Sequence, residues 1–154
     1  MALHGAALAV HVPDFDAGVE RTLNALRSLP DGPVTAIHSD LVPPNIHTDA
    51  AGRPVAVLDF GFYTTAGDPA FEAAVTAAVW DMYGPYAQEH TAELTRVFAQ
   101  ELGYAPAVLT VYQAAYLTTY DLFGLDDSDG HFRWCAAVPQ HRVQRTGVLI
   151  TAAR

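Results

Sequence analysis

The run His38-Ser39-Asp40-Leu41-Val42-Pro43-Pro44-Asn45 is followed, after a strand–turn–strand pattern, by Asp59-Phe60-Gly61. This arrangement constrains the chain more than any other feature. Asn45 to Thr48 and Pro54 to Asp59 read as two strands of a hairpin, with Asp49-Ala50-Ala51-Gly52 as the turn. A hairpin returns the chain on itself, so Asn45 and Asp59 are expected at the same end of it. Pro43 and Pro44 restrict the backbone between Asp40 and Asn45 and so limit how far those two side chains can drift apart. Upstream, Val34 to Ile37 is a short, apolar, β-branched run that leads into His38.

Around this unit the pattern is helical. Asp14 to Leu29 places Phe15, Val19, Leu23 and Leu26 on one face, with Asp14 or Asp16 as the cap and Pro30, Gly32 and Pro33 as the stop. Pro69 to Tyr83 is Ala-rich and ends at Gly84-Pro85. His90 to Leu102 follows, with Gly103 suited to the left-handed position after a helix. Ala105 to Phe123 forms another helix, Gly124 to Gly130 an acidic loop, and His131 to Ala153 a helix broken near Pro139. No repeat, linker or low-complexity tract interrupts the chain, and its 154 residues suit one domain over 1–154.

Charge narrows the partners. A formal net charge of -9 repels phosphate backbones and anionic membrane surfaces, so neither nucleic acid nor a membrane is expected to bind. Cys135 is the lone cysteine, which excludes an internal disulfide and suits a reducing cytoplasm. The apolar run Ala6 to Val12 is short and no basic segment precedes it, so neither a signal peptide nor a membrane anchor is expected.

The residue types in the two motifs suit one chemistry. Magnesium prefers hard oxygen donors and keeps several of its waters, so an amide oxygen and a carboxylate suffice from the protein. Asn45 and Asp59 supply that pair, and Asp40, on the loop, is placed to accept or orient the proton of an alcohol. The plain alternative is that Asp40 and Asn45 only satisfy the backbone of a turn and Asp59 only ends a strand. DFG alone would not decide between them; the ordered pair, split by a hairpin, favours the metal and alcohol site.

These residues resemble the protein-kinase pattern H-R-D-L-x-x-x-N with a downstream D-F-G, with Ser39 in place of the Arg. With HSDLVPPNI, VLDFG and GDPAFEAA taken together, the chain resembles the aminoglycoside phosphotransferase family, whose kinase-like members include choline, homoserine and macrolide kinases. There the loop usually reads HGDLHxxN, the metal segment IDFG or IDWE, and the next element GDPxxDLA. Ser39 therefore replaces a Gly and Glu72 an Asp, while Gly67, Asp68 and Pro69 match the turn into the following helix. The resemblance implies an α+β, mostly helical fold: a protein-kinase-like C-terminal lobe whose small β-hairpin carries the catalytic and metal motifs. It implies Asp40 as the catalytic base, Asn45 and Asp59 as magnesium ligands, and His38, Ser39 and Gly61 as loop support. ATP and magnesium are the implied cofactors, a small and cationic alcohol the implied substrate, and antibiotic resistance one implied role.

Residues 1–37 contain no Lys, no glycine-rich loop and no set of strands, although these normally grip the nucleotide. The expectation is therefore a lobe that is incomplete on its own, completed by a separate N-terminal lobe or covered in a homodimer. The competing expectation is a non-catalytic, pseudokinase-like binding or oligomerisation domain.

Three other features carry weaker signals. Tyr112, Tyr116, Tyr120 and Phe123 fall at helical spacing, and a packed core face explains them more simply than a stacking platform. Asp121, Asp126, Asp127 and Asp129 gather around one loop; they suit the ammonium groups of a polyamine substrate, or merely solvation. His38, Asp40 and His47 raise a transition-metal site, but no helical HxxxH or Cys partner accompanies them.

Overall fold

The computed structural model describes residues 13–61 and 63–119. The chain divides into two compact units, one of residues 31–109 and one pairing residues 1–30 with 110–154.

The 31–109 unit starts with β1 (Thr35–Ile37), which pairs antiparallel with β4 (Thr65–Gly67) in the register Thr35↔Gly67, Ala36↔Ala66 and Ile37↔Thr65. Between them lies the hairpin of β2 (Ile46–Thr48) and β3 (Pro54–Val57), registered Ile46↔Val57 and His47↔Ala56, with an irregularity after His47. The expected hairpin is therefore present, with shorter strands. Its turn closes as the residues suggest: Gly52 has φ 76°, and Asp49 Oδ1 accepts from the backbone N–H of Ala51 and Arg53. The Arg53 guanidinium, 2.7 Å from Asp49 Oδ2, holds that carboxyl below the usual carboxylate range.

Strand β4 has no counterpart among the expected elements. Its Thr-Ala-Gly sequence carries little β signal, and pairing with β1 is what makes it a strand.

Asp68 then caps α2 (Pro69–Val79), its side chain accepting from Ala70 N–H at 2.8 Å, with Pro69 at the first helical position. Gly32 makes room for that cap: a Cβ there would lie 2.6 Å from Asp68 Oδ2. Eight of the eleven α2 residues are buried, among them Ala74, Val75 and Ala77, so this helix is the core of its unit, as an apolar helix must be. It stops at Val79 and gives way to turns, several residues before the expected end at Tyr83, with Asp81 C=O accepting from Gly84 N–H.

Helix α3 (Ala87–Leu102) packs on α2 but buries no residue fully, and begins a turn earlier than expected. Gly103 ends it with φ 73°, the left-handed position the sequence assigned. Leu109, fully buried at the start of α4 (Pro106–Thr119), completes this core.

In the other unit, α1 (Phe15–Arg27) buries Phe15, Gly18, Thr22 and Ala25. The expected face included Phe15, but Val19, Leu23 and Leu26 are only half-buried. The buried line runs one position away, through Phe15, Gly18, Thr22 and Ala25, and Thr22 satisfies its hydroxyl on Gly18 C=O at 3.0 Å. Asp14 stands at the cap position with φ 54° yet makes no side-chain cap bond, so the expected capping by side chain is absent there. On α4, Tyr116 is buried and Tyr112 half-buried, in keeping with a core face; Tyr120 and Phe123 lie outside the described residues. Among the described residues no helix is long and apolar enough to cross a membrane.

Candidate active site

The site grows from the end of β1. Ile37, His38 and Ser39 are buried, and the chain turns there because Ser39 adopts φ 65°. Glu72, in the first turn of α2, accepts from the backbone N–H of both residues: His38 through Oε2 and Ser39 through Oε1 at 3.0 Å. One carboxylate thus satisfies two amides that the reversal turns away from the sheet.

His38 is committed at both ring nitrogens. Nε2 faces the Leu58 C=O at 2.7 Å, and a carbonyl can only accept, so Nε2 carries the proton. Nδ1 lies 3.2 Å from the backbone N–H of Asp40, which can only donate, so Nδ1 offers its lone pair. The two partners together define a neutral ring with a fixed tautomer. Phe60 packs edge-on against the same ring, with centroids 4.7 Å apart. His38 therefore ties the Asp40 loop to the Asp59 segment, and neither nitrogen is left for a metal.

Asn45 is held by the same logic. Its Nδ2 donates to the Asp40 C=O at 2.9 Å and to Asp40 Oδ2 at 3.2 Å. Both partners are acceptors, so the amide orientation follows from them, and Oδ1 is the amide's acceptor atom. Its backbone C=O accepts from Leu58 N–H at 2.9 Å, extending the hairpin and bringing Asn45 beside the residue before Asp59. The Pro43–Asn45 turn is a single 3-10 turn in which Asn45 N–H donates to Val42 C=O. Asp59 itself is exposed and adopts φ 59°. A Cβ at Gly61 would lie 3.4 Å from Asp59 Oδ1, an ordinary contact distance.

His38, Asp40, Asp59, Gly61 and Tyr63 line a cleft of ≈ 160 Å³. The structure thus gathers Asp40 and Asp59 on one cavity and anchors Asn45 to Asp40. Among the described residues no group of three or more His, Cys, Asp or Glu is assembled for a metal ion. The Asp59 carboxylate and the Asn45 amide oxygen are hard oxygen donors of the kind magnesium takes, and not the nitrogen and sulfur donors typical of zinc. His47 is exposed on β2. Asp121, Asp126, Asp127 and Asp129 lie outside the described residues.

A family model described as the phosphotransferase enzyme family matches residues 2–123, well over half of the chain. The chain belongs to that family. The assignment agrees with the resemblance to aminoglycoside phosphotransferase-like enzymes and with the observed α+β, helix-rich architecture. Comparison with curated proteins and with solved structures found no match.

Two residues of the site escaped the sequence reading. Glu72 was visible only as a substitution within the GDPAFEAA motif, and its grip on the loop depends on a fold that sets α2 against β1. Tyr63 carried no motif signal at all; the cleft reveals it.

Proposed function

We propose that residues 38–61 form the catalytic segment of a phosphotransferase that moves the terminal phosphoryl group of ATP to a hydroxyl of a small, cationic molecule. The observation that carries this reading is the placement of Asn45: its amide bonds Asp40 while its backbone pairs with Leu58, next to Asp59. In the transfer, the acceptor oxygen bonds to the γ-phosphorus as the bond to the ADP oxygen breaks. Asp40 orients the hydroxyl and takes its proton. Asn45 Oδ1 and the Asp59 carboxylate would hold magnesium, which when bound neutralises charge on the phosphate oxygens. His38 keeps the two segments in register, and Glu72 keeps the loop from relaxing.

Mg-ATP is expected to raise the melting temperature, and Asp59→Ala to abolish the rise. Asp40→Ala is expected to keep the rise while lowering turnover by about 10²- to 10⁴-fold, the usual worth of a positioned general base. No melting shift at millimolar Mg-ATP would overturn this reading.

A second reading has its own observation. The sequence contains no Lys, so an ammonium that pairs with the nucleotide phosphates would come from outside it. Val55, Val57, Leu58 and Phe60 are also exposed around β3 and the Asp59 segment. A non-catalytic binding domain, or a lobe covered by a second polypeptide or a second copy of itself, accounts for both.

A further inference from the structure

The open edge of β3 plays no part in the proposed transfer. Among the described residues β3 pairs with β2 alone, and all four of its residues, Pro54 to Val57, are exposed. Leu58 N–H donates to Asn45 C=O, and N–H groups alternate sides along an extended strand. Val57 N–H therefore points away from β2, toward the open edge. The register with β2 skips Val55, which has no facing residue there. Exposed valines on an open edge are a template for another strand. Pro54 guards only the start of that edge.

The sequence of the strand selects the occupant. Antiparallel pairing of two β3 strands about Ala56 sets Val55 opposite Val57 and Pro54 opposite Leu58, and brings Arg53 to the end where Asp59 stands. Valines then meet beside a small residue on the axis, and opposite charges meet at each rim. Pro54, which has no N–H, faces Leu58, whose N–H is already given to Asn45. Arg53 can exchange partners because its pair with Asp49 is solvent-exposed, and such pairs hold weakly. The net charge of -9 on each chain opposes association in general, so an attractive rim decides the register.

We propose that β3 is a self-pairing edge: two copies of the chain join β3 to β3 antiparallel about Ala56, each lending Arg53 to the Asp59 end of the other's cleft. The lining of that cleft otherwise holds no Lys or Arg. The pairing needs neither nucleotide nor phosphoryl transfer, so it holds or fails independently of the phosphotransferase reading.

Ala56→Cys in a Cys135→Ser background tests the register. Facing residues of a non-hydrogen-bonded antiparallel pair have Cα atoms about 4.5 Å apart, within disulfide reach. Mild oxidation is expected to give a covalent dimer from Ala56→Cys, and none from Gln88→Cys, an exposed position on α3. Val57→Pro, tolerated where the N–H faces an open edge, is expected to keep the wild-type circular dichroism and lose self-association in sedimentation. Arg53→Ala is expected to weaken the dimer by roughly 2- to 30-fold, the worth of two cross-strand charge pairs. A monomer at every concentration, equal linking at Gln88→Cys and Ala56→Cys, or a Val57→Pro variant that still dimerises would each overturn the proposal. The cysteine result decides whether or not Val57→Pro folds.

Discussion

Ser39 holds the sharpest backbone decision in the site. With φ 65° it occupies the left-handed region, which costs an L-residue about 1–2 kcal/mol and a glycine almost nothing. The glycine usual in the HGDLHxxN loop meets the same demand without strain. Ser39→Gly is therefore expected to relieve the strain, less about 0.4–1 kcal/mol for the freer unfolded chain, a net gain of up to about 1 kcal/mol. Ser39→Val, branched at Cβ and placed in a buried position, should cost more than about 1 kcal/mol. Urea unfolding of the three proteins reads both, and a Gly variant less stable than the wild type would contradict the account. Asp59 shares the positive φ, at 59°, but Asp tolerates that region better than most residues, so this position keeps its carboxylate at small cost.

At the scale of elements, the His38–Asn45 loop is fastened at two points that the sequence separates widely. One is the hairpin, where Leu58 N–H meets Asn45 C=O and the Leu58 C=O meets His38. The other is the first turn of α2, where Glu72 takes the backbone N–H groups of His38 and Ser39. Hydrogen bonds to an ionised partner are worth about 1.5–3 kcal/mol each, and losing the partner strands both donors. Glu72→Ala is accordingly expected to destabilise by about 2–4 kcal/mol, and Glu72→Gln by less, because one acceptor oxygen survives. Amide hydrogen exchange gives the sharper check: the His38 and Ser39 amides should lose protection in Glu72→Ala while those of α3 keep theirs. Equal loss across the unit would mean that Glu72 serves general stability and not the loop.

At the scale of the whole molecule, the described site residues fall in the 31–109 unit, whose core is α2 with Ile37 and Leu109. That unit leaves large apolar side chains in water at Val34, Val55 and Phe60, 75%, 64% and 61% exposed. Exposed apolar groups gathered near one motif segment usually mark a surface that another chain covers. We therefore expect self-association, or a stable complex with a second polypeptide, read by light scattering over a range of concentrations. Val55→Asp should weaken self-association, and a monomer at every concentration would count against a homodimer.

The sequence by itself determined the motif unit. HSDLVPPN and DFG, with a turn sequence between them, imposed a hairpin with Asn45 and Asp59 at one end, because strand pairing and the φ preferences of Gly52 and Pro43-Pro44 are local matters. Asp68, Pro69 and Gly103 likewise marked helix ends by local chemistry. Only the tertiary structure decided the rest. Strand β4 exists because β1 lies beside it, and the buried line of α1 runs through Phe15, Gly18, Thr22 and Ala25 in place of Val19, Leu23 and Leu26. Glu72 reaches across thirty-four positions to His38, and Tyr63 and Asp40 line one cleft only in the folded chain. Such pairings are set by which surfaces exclude water together, and no spacing along the chain records them.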